Sequence, residues 1–328
     1  MSHRVPIETL EHRTLLAASQ INFVDFSSPT NLIGNGFGGN PITSGNRLRL
    51  TRDVNHEARS VWFGTAVPID RFRSDFSFRS NASATSADGL TFTVQNGPTT
   101  ALGTDGFDLG YAGIDHSQAA AFNMFNFANF GSQFGFGNDG GHPLTVTDMS
   151  PIDLHSGHLF HATVEYDGTA MKVAVSDAAD RSRIFNASRT IVLPNAIGSD
   201  TAIVGFTAAT GNFHSIQEIT SWEFSGSSAP TFSTAASADP NPVTGKTTTL
   251  TALGADAGGE SNLTYDWSTV KKPNGAKEPT FSVNGTNAAK NATLRFFKAG
   301  IYRLRCTATN QEGLSASSDV LITVQQTS

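Results

Sequence analysis

The chain has one cysteine, Cys306, in 328 residues. No intrachain disulfide can form, so each domain must be held by its own packed core. Long apolar runs are missing too; none approaches the roughly 20 residues that a helix needs to cross a bilayer. Charge is scarce, at 15% of residues with a net charge of −6. No basic stripe follows a phosphate backbone, which argues against a nucleic-acid partner. The first twenty residues lack the apolar core of about 7–15 residues that marks an ordinary secretory signal. Helical periodicity is nearly absent.

Catalytic signatures are also missing. There is no G-x-S-x-G elbow, and "NHEARS" at 55–60 lacks the second histidine of a zinc-protease helix. His155, His158 and His161 are spaced by three, which on a strand puts neighbours on opposite faces, so they do not read as a metal centre. No strand carries the close carboxylate pair that glycosidic cleavage requires.

What is present is β-structure. From Ile21 to about Gly226, segments such as "RSVWFGTAVPI", "FRSDFSFRS", "GLTFTVQN", "FHATVEYDG" and "TAIVGFTAAT" carry β-branched or aromatic residues at period two. A D-G turn at 167–168 joins two of them as a hairpin. Many short alternating strands with few helices predict an all-β sandwich over residues 21–226. "GSSAPTFS" at 226–233 is a small-residue connector, and residues 230–326 hold about seven further short strands, the pattern of a smaller immunoglobulin-like β-sandwich. In "YRLRCTA" the alternation places Tyr302, Leu304, Cys306 and Ala308 on one inward face, with Trp267 as a core residue. Residues 1–20 stand apart as an N-terminal targeting-like segment.

Four segments, in order, carry a resemblance: "SADGLTFTVQN" (86–96), "DLGYAGIDHSQAAAFNMFNF" (108–127), "DLHSGHLFHATVEYDG" (153–168) and "VGFTAATGNFHSIQEITSWEFS" (204–225). Together they resemble the L-type, legume-lectin-like carbohydrate-binding domains, which implies a concanavalin-A-like jelly roll and a non-enzymatic glycan-binding function. The resemblance implies a cis peptide before Asp88, whose carboxylate accepts hydrogen bonds from sugar hydroxyls; a carboxylate suits this because it is acceptor-only. It implies that the Gly110 backbone approaches the sugar, and that the loop bearing Asn212, Phe213 and His214 sets preference. In the family, carboxylates on the strand matching 119–127 hold calcium and a transition metal. Here Ala121, Asn123 and Phe127 occupy the ligand positions, so no metal cofactor is expected. Asn126 and Asn129 follow as polar candidates at the sugar site in place of that ion. Six phenylalanines between Phe122 and Phe136 read as core on both faces, with Phe134 and Phe136 as candidate stacking platforms.

Two further resemblances are shorter. The C-terminal part is similar to bacterial Ig-like or PKD-like modules, and "IETLEHRTLLAA" (7–18) resembles the LEPR-x-LL element of exported and surface proteins, with His12 in place of proline. They imply an extracellular or cell-surface location with glycans as partners. The alternatives are a structural or adhesive surface module whose sugar site has decayed and, less favoured, a glycoside hydrolase.

Overall fold

The computed structural model describes residues 20–36, 42–125, 130–142 and 146–325. The N-terminal targeting-like segment up to residue 19, together with Asn126, Phe127 and Asn129, lies outside the described residues. Two compact units are found, Ala18–Ser227 and a second beginning at Ser228.

The first unit holds β1 (Ile21–Phe23), β2 (Leu32–Gly36), β3 (Ile42–Ser44), β4 (Arg47–Thr51), β5 (Ala58–Phe63), β6 (Val67–Pro68), β7 (Arg71–Ser80) and β8 (Gly89–Gln95). These are followed by β9 (Ser117–Phe125), β10 (Phe130–Asn138), β11 (Val146–Asp148), β12 (Phe160–Tyr166), β13 (Ala170–Asp177), β14 (Ile184–Thr190), β15 (Thr201–Ala209) and β16 (Gln217–Ser227). A first sheet runs β14-β13-β12-β7-β16-β4-β3, with β1 added on β16. A second runs β11-β10-β9-β8-β15-β5-β2, with β6 added on β15. Every pairing in them is antiparallel. This is an all-β jelly-roll sandwich.

Period-two patterning explains the layers. Along β7, Phe72, Phe76 and Phe78 are buried between the sheets while Arg73, Asp75 and Arg79 alternate with them on the outer face. Ser74 also points inward, where its hydroxyl accepts from the Trp222 indole at 3.0 Å. The core is an aromatic lattice: Phe76 meets Phe206 edge-on at 5.1 Å, and Phe206 meets Trp222 at 4.9 Å. Such pairs add about 0.5–1.5 kcal/mol each beyond area burial. β8 is buried on both faces, as is β9 up to Met124, so loops must cover the second sheet from outside. Phe122 and Phe134 lie within the sandwich, 5.6 Å apart. Phe136 is half-buried, with the Arg189 guanidinium 5.1 Å over its ring. Phe134 is therefore core rather than a stacking platform, and one face of Phe136 is already covered.

The second unit pairs β17 (Thr231–Asp239), β18 (Thr247–Ala255), β21 (Asn291–Arg295) and β20 (Thr280–Phe281) in one sheet. The other contains β19 (Thr264–Lys271), β22 (Gly300–Thr309) and β23 (Ser315–Val324). Both sheets contribute to one core around Trp267, whose indole donates to Ala289 O at 2.8 Å. Tyr302, Leu304, Cys306 and Ala308 are all fully buried. Burial pushes the Cys306 thiol up to about 12, with the Asp266 charge acting in the same direction. A thiol that is both inaccessible and unionised is unreactive. Native protein is therefore expected to resist an aromatic disulfide reagent at pH 8, and unfolded protein to release one equivalent of chromophore at once; rapid labelling of the native chain would contradict the placement.

Candidate functional site

The site is built where strand ends of the second sheet meet three loops. Asp88 immediately precedes β8, and its main chain is held from three sides. Its N–H donates to Ala209 O at 3.0 Å on β15, and its carbonyl accepts from Met124 N–H at 2.8 Å on β9. The preceding carbonyl, on Ala87, accepts from the Ser215 hydroxyl at 3.0 Å. The Ala87–Asp88 peptide is cis. The side chain faces the loops formed by residues 52–57, 104–108 and 211–216.

Asp88 is only 3% exposed, and its Oδ2 has no hydrogen-bond partner. Burial pushes its carboxyl up to about 7; the nearby Gly211 N–H, which itself donates to Phe213 O at 3.1 Å, and His56 pull the other way, while Asp105 adds to the rise. A Cβ on Gly211 would crowd the site, at 3.0 Å from Asp88 Oδ2 and 3.2 Å from Gly106 Cα. One strand away, paired with Gly89, Asn123 is 4% exposed and its Nδ2 donor is also unpartnered. A buried acceptor and a buried donor each cost about 1–3 kcal/mol when left unpaired.

Polar links fasten the rim. His56 Nδ1 lies 3.1 Å from Asp105 Oδ2, the His56 N–H donates to Gly211 O at 3.1 Å, and the Gly106 N–H donates to Thr210 O at 3.0 Å. His214 Nδ1 is 2.8 Å from Asp53 Oδ1, which joins the 211–216 loop to the 52–57 loop. Phe213 is 42% exposed, with its ring 5.8 Å from Phe125. Asn212 is exposed beside it.

Asp88 and the Asn212, Phe213 and His214 loop are thus linked through Gly211. Gly110 is placed differently. Its N–H is already donated to Thr104 O at 2.8 Å, and a Cβ there would meet Ala208 O at 2.9 Å and Arg59 O at 3.1 Å. Gly110 is needed for close backbone packing, and the glycine adjoining Gly211 beside Asp88 is Gly106. Asn126 and Asn129 remain outside the described residues. Ala121 is fully buried between Thr91 and Gly135, and Asn123 brings an amide. Neither supplies the anionic oxygen on which a calcium site depends, so these positions do not fit the family's metal pair. The three spaced histidines go to separate partners: His158 to Asp177 at 2.9 Å, His161 to Ser77 at 2.8 Å, and His155 beside Asp153 at 3.5 Å.

The family model for the legume lectin domain matches residues 18–240. The chain belongs to the legume lectin family. Solved structures agree on the lectin fold. The Bauhinia forficata lectin in complex with GalNAc superimposes with a TM-score of 0.55 at 20% identity, covering 63% of this chain and 98% of that one. Arcelin-5, a lectin-like defense protein from Phaseolus vulgaris, gives 0.53 at 21% identity, covering 63% and 97%. The metal-free form of lectin I-B4 from Griffonia simplicifolia gives 0.54 at 19% identity, covering 64% and 99%. The lectin domain therefore occupies about the first two-thirds of the chain.

Proposed function

We propose that the lectin domain binds carbohydrate without catalysis, with Asp88 as its polar anchor. The observation that carries this reading is the Asp88 carboxylate, buried and with Oδ2 unpartnered at the junction of the three loops. Ionised, it accepts from two sugar hydroxyls; Asn123 Nδ2 is a candidate donor, and Phe213, 42% exposed, adds apolar surface at the rim. Asp105, the other carboxylate acting on Asp88, is paired with His56 at 3.1 Å. The second unit is an immunoglobulin-like module, a reading supported by its two antiparallel sheets on one tryptophan-centred core. An exported or cell-surface setting is supported by the LEPR-like segment at 7–18.

A glycan array probed with the full chain tests the reading. Binding to a defined class of terminal sugars is expected, together with no release of chromophore from a panel of aryl glycosides. A folded protein that binds nothing on the array would favour a structural or adhesive module with a decayed sugar site.

A further inference from the structure

On the outer face of the first sheet, three arginines converge on one carboxylate. Glu218 on β16 lies opposite Arg49 on β4 and Arg79 on β7, so the two cations flank it from neighbouring strands. Arg49 donates from Nε and Nη2 to Glu218 Oε1 at 3.2 and 2.9 Å. Arg79 donates from Nε and Nη2 to Oε2 at 3.2 and 3.1 Å. Arg47, two residues before Arg49, reaches Oε2 from Nη1 at 3.4 Å. The Glu218 side chain is 2% exposed, whereas those of Arg47, Arg49 and Arg79 are 39%, 27% and 37% exposed.

This is more than a set of ion pairs. One carboxylate cannot neutralise three guanidiniums, so the cluster keeps a net charge of about +2 in a chain whose total is −6. Burial alone would raise the Glu218 carboxyl, but hydrogen bonds and charge from Arg49 and Arg79 hold it below its usual range, so it stays ionised. Glu218 thereby fixes the guanidiniums in place while Arg47 Nε and Nη2, Arg49 Nη1 and Arg79 Nη1 stay free to donate to solvent or a ligand. Arg47 therefore offers an oxyanion its two-nitrogen Nε/Nη2 edge, and Arg49 and Arg79 each add a preorganised Nη1 donor, with less rotamer entropy left to lose. The neighbouring outward positions Ser77, Ser221 and Ser44 are uncharged, and the next acid along β7, Asp75, is held by Arg73 at 2.6 and 2.7 Å.

The cluster also sits next to the glycan loops in the chain. Arg49 leads into the 52–57 loop, Arg79 into the segment ending at Asp88, and Glu218 follows the 211–216 loop. We propose that Arg47, Arg49 and Arg79 form an oxyanion subsite of the lectin domain, which binds the carboxylate or sulfate groups of an acidic polysaccharide. The subsite stands on its own geometry and does not require a sugar at Asp88.

Affinity electrophoresis of the full chain at low ionic strength, through gels containing polygalacturonate, dextran sulfate or neutral dextran, tests it. Retardation by one or both acidic polymers is expected, with none by dextran beyond that of a non-binding protein. Arg47→Gln, which leaves Glu218 its four bonds to Arg49 and Arg79, should weaken retardation by about threefold to tenfold, and Arg79→Gln by at least as much. Circular dichroism verifies that each variant is folded. Arg183→Gln, at an exposed arginine outside the cluster, should be retarded like the unaltered protein. Retardation preserved in both folded arginine variants, or absent with both acidic polymers, would overturn the assignment. The relative response to the carboxylated and sulfated polymers identifies which oxyanion the subsite prefers.

Discussion

Replacing Asp88 with alanine is expected to lower affinity for the array-identified glycan by at least about 100-fold. Hydrogen bonds to an ionised acceptor contribute about 1.5–3 kcal/mol each, and two of them correspond to a factor of about 10² or more in the dissociation constant. The fold should not suffer. The main-chain bonds of Asp88 to Ala209 and Met124 do not involve its side chain, and the carboxylate that is lost is a buried charge with an unpartnered oxygen. Asp88→Asn serves as the near-isosteric control: it keeps the volume, replaces one acceptor with a donor, and should also lose most of the affinity. Calorimetry on both variants, with melting temperatures recorded at pH 8, provides the test. Unchanged affinity in either variant would remove Asp88 from the site, and a collapsed melting transition would show that its role is structural.

The second large effect expected is a fall in glycan affinity with acidification. Desolvation holds the Asp88 carboxyl near 7 in the free protein, and sugar hydroxyls need the ionised form as acceptor. Below pH 7 each binding event must therefore expel a proton, and affinity should drop by about tenfold per pH unit. The groups acting on Asp88 come from every surrounding loop: His56 from 52–57, Asp105 from 104–108, and the Gly211 N–H from 211–216. Stability carries the opposite sign. The folded-state value lies above the ordinary carboxyl value of 3.8, so between about pH 4 and 7 the folded chain holds a proton that the unfolded chain has lost. This contribution is fully present below about pH 4 and is lost as pH rises through about 7. The difference in melting temperature between unaltered protein and Asp88→Asn should narrow or reverse in the unaltered protein's disfavour over that window. An affinity that is flat from pH 5 to 8 would show that ionisation of Asp88 is not coupled to binding.

Much of the lectin domain was legible because its signals are local. Strand alternation in "FRSDFSFRS" assigns Phe72, Phe76 and Phe78 to the interior, and the A-D-G segment marks Asp88 from three adjacent residues. The partners of Asp88 were harder to find because each arrives from a distant loop. Gly106 differs from Gly110 only in what packs against it, and nothing in "TDGFDLGYAG" reveals that Gly211 and Thr210 lie over one while Ala208 and Arg59 crowd the other. His56 and Asp53 sit in a loop with no periodic pattern, and they join the rim only because β4 and β5 deliver them there. The arginine cluster depends on β16 lying between β4 and β7, so two strands separated by some twenty residues meet a third far down the chain. Arg47 and Arg49, alternating with Leu48 and Leu50, give only half of that signal.

The most direct measurement is a crystal structure of the full chain with its array-identified glycan. The account predicts a terminal sugar at the junction of the 52–57, 104–108 and 211–216 loops, with two hydroxyls within hydrogen-bond distance of the Asp88 carboxylate and the ring near Phe213. A glycan bound elsewhere on the chain, with Asp88 still buried and unpartnered, would contradict it.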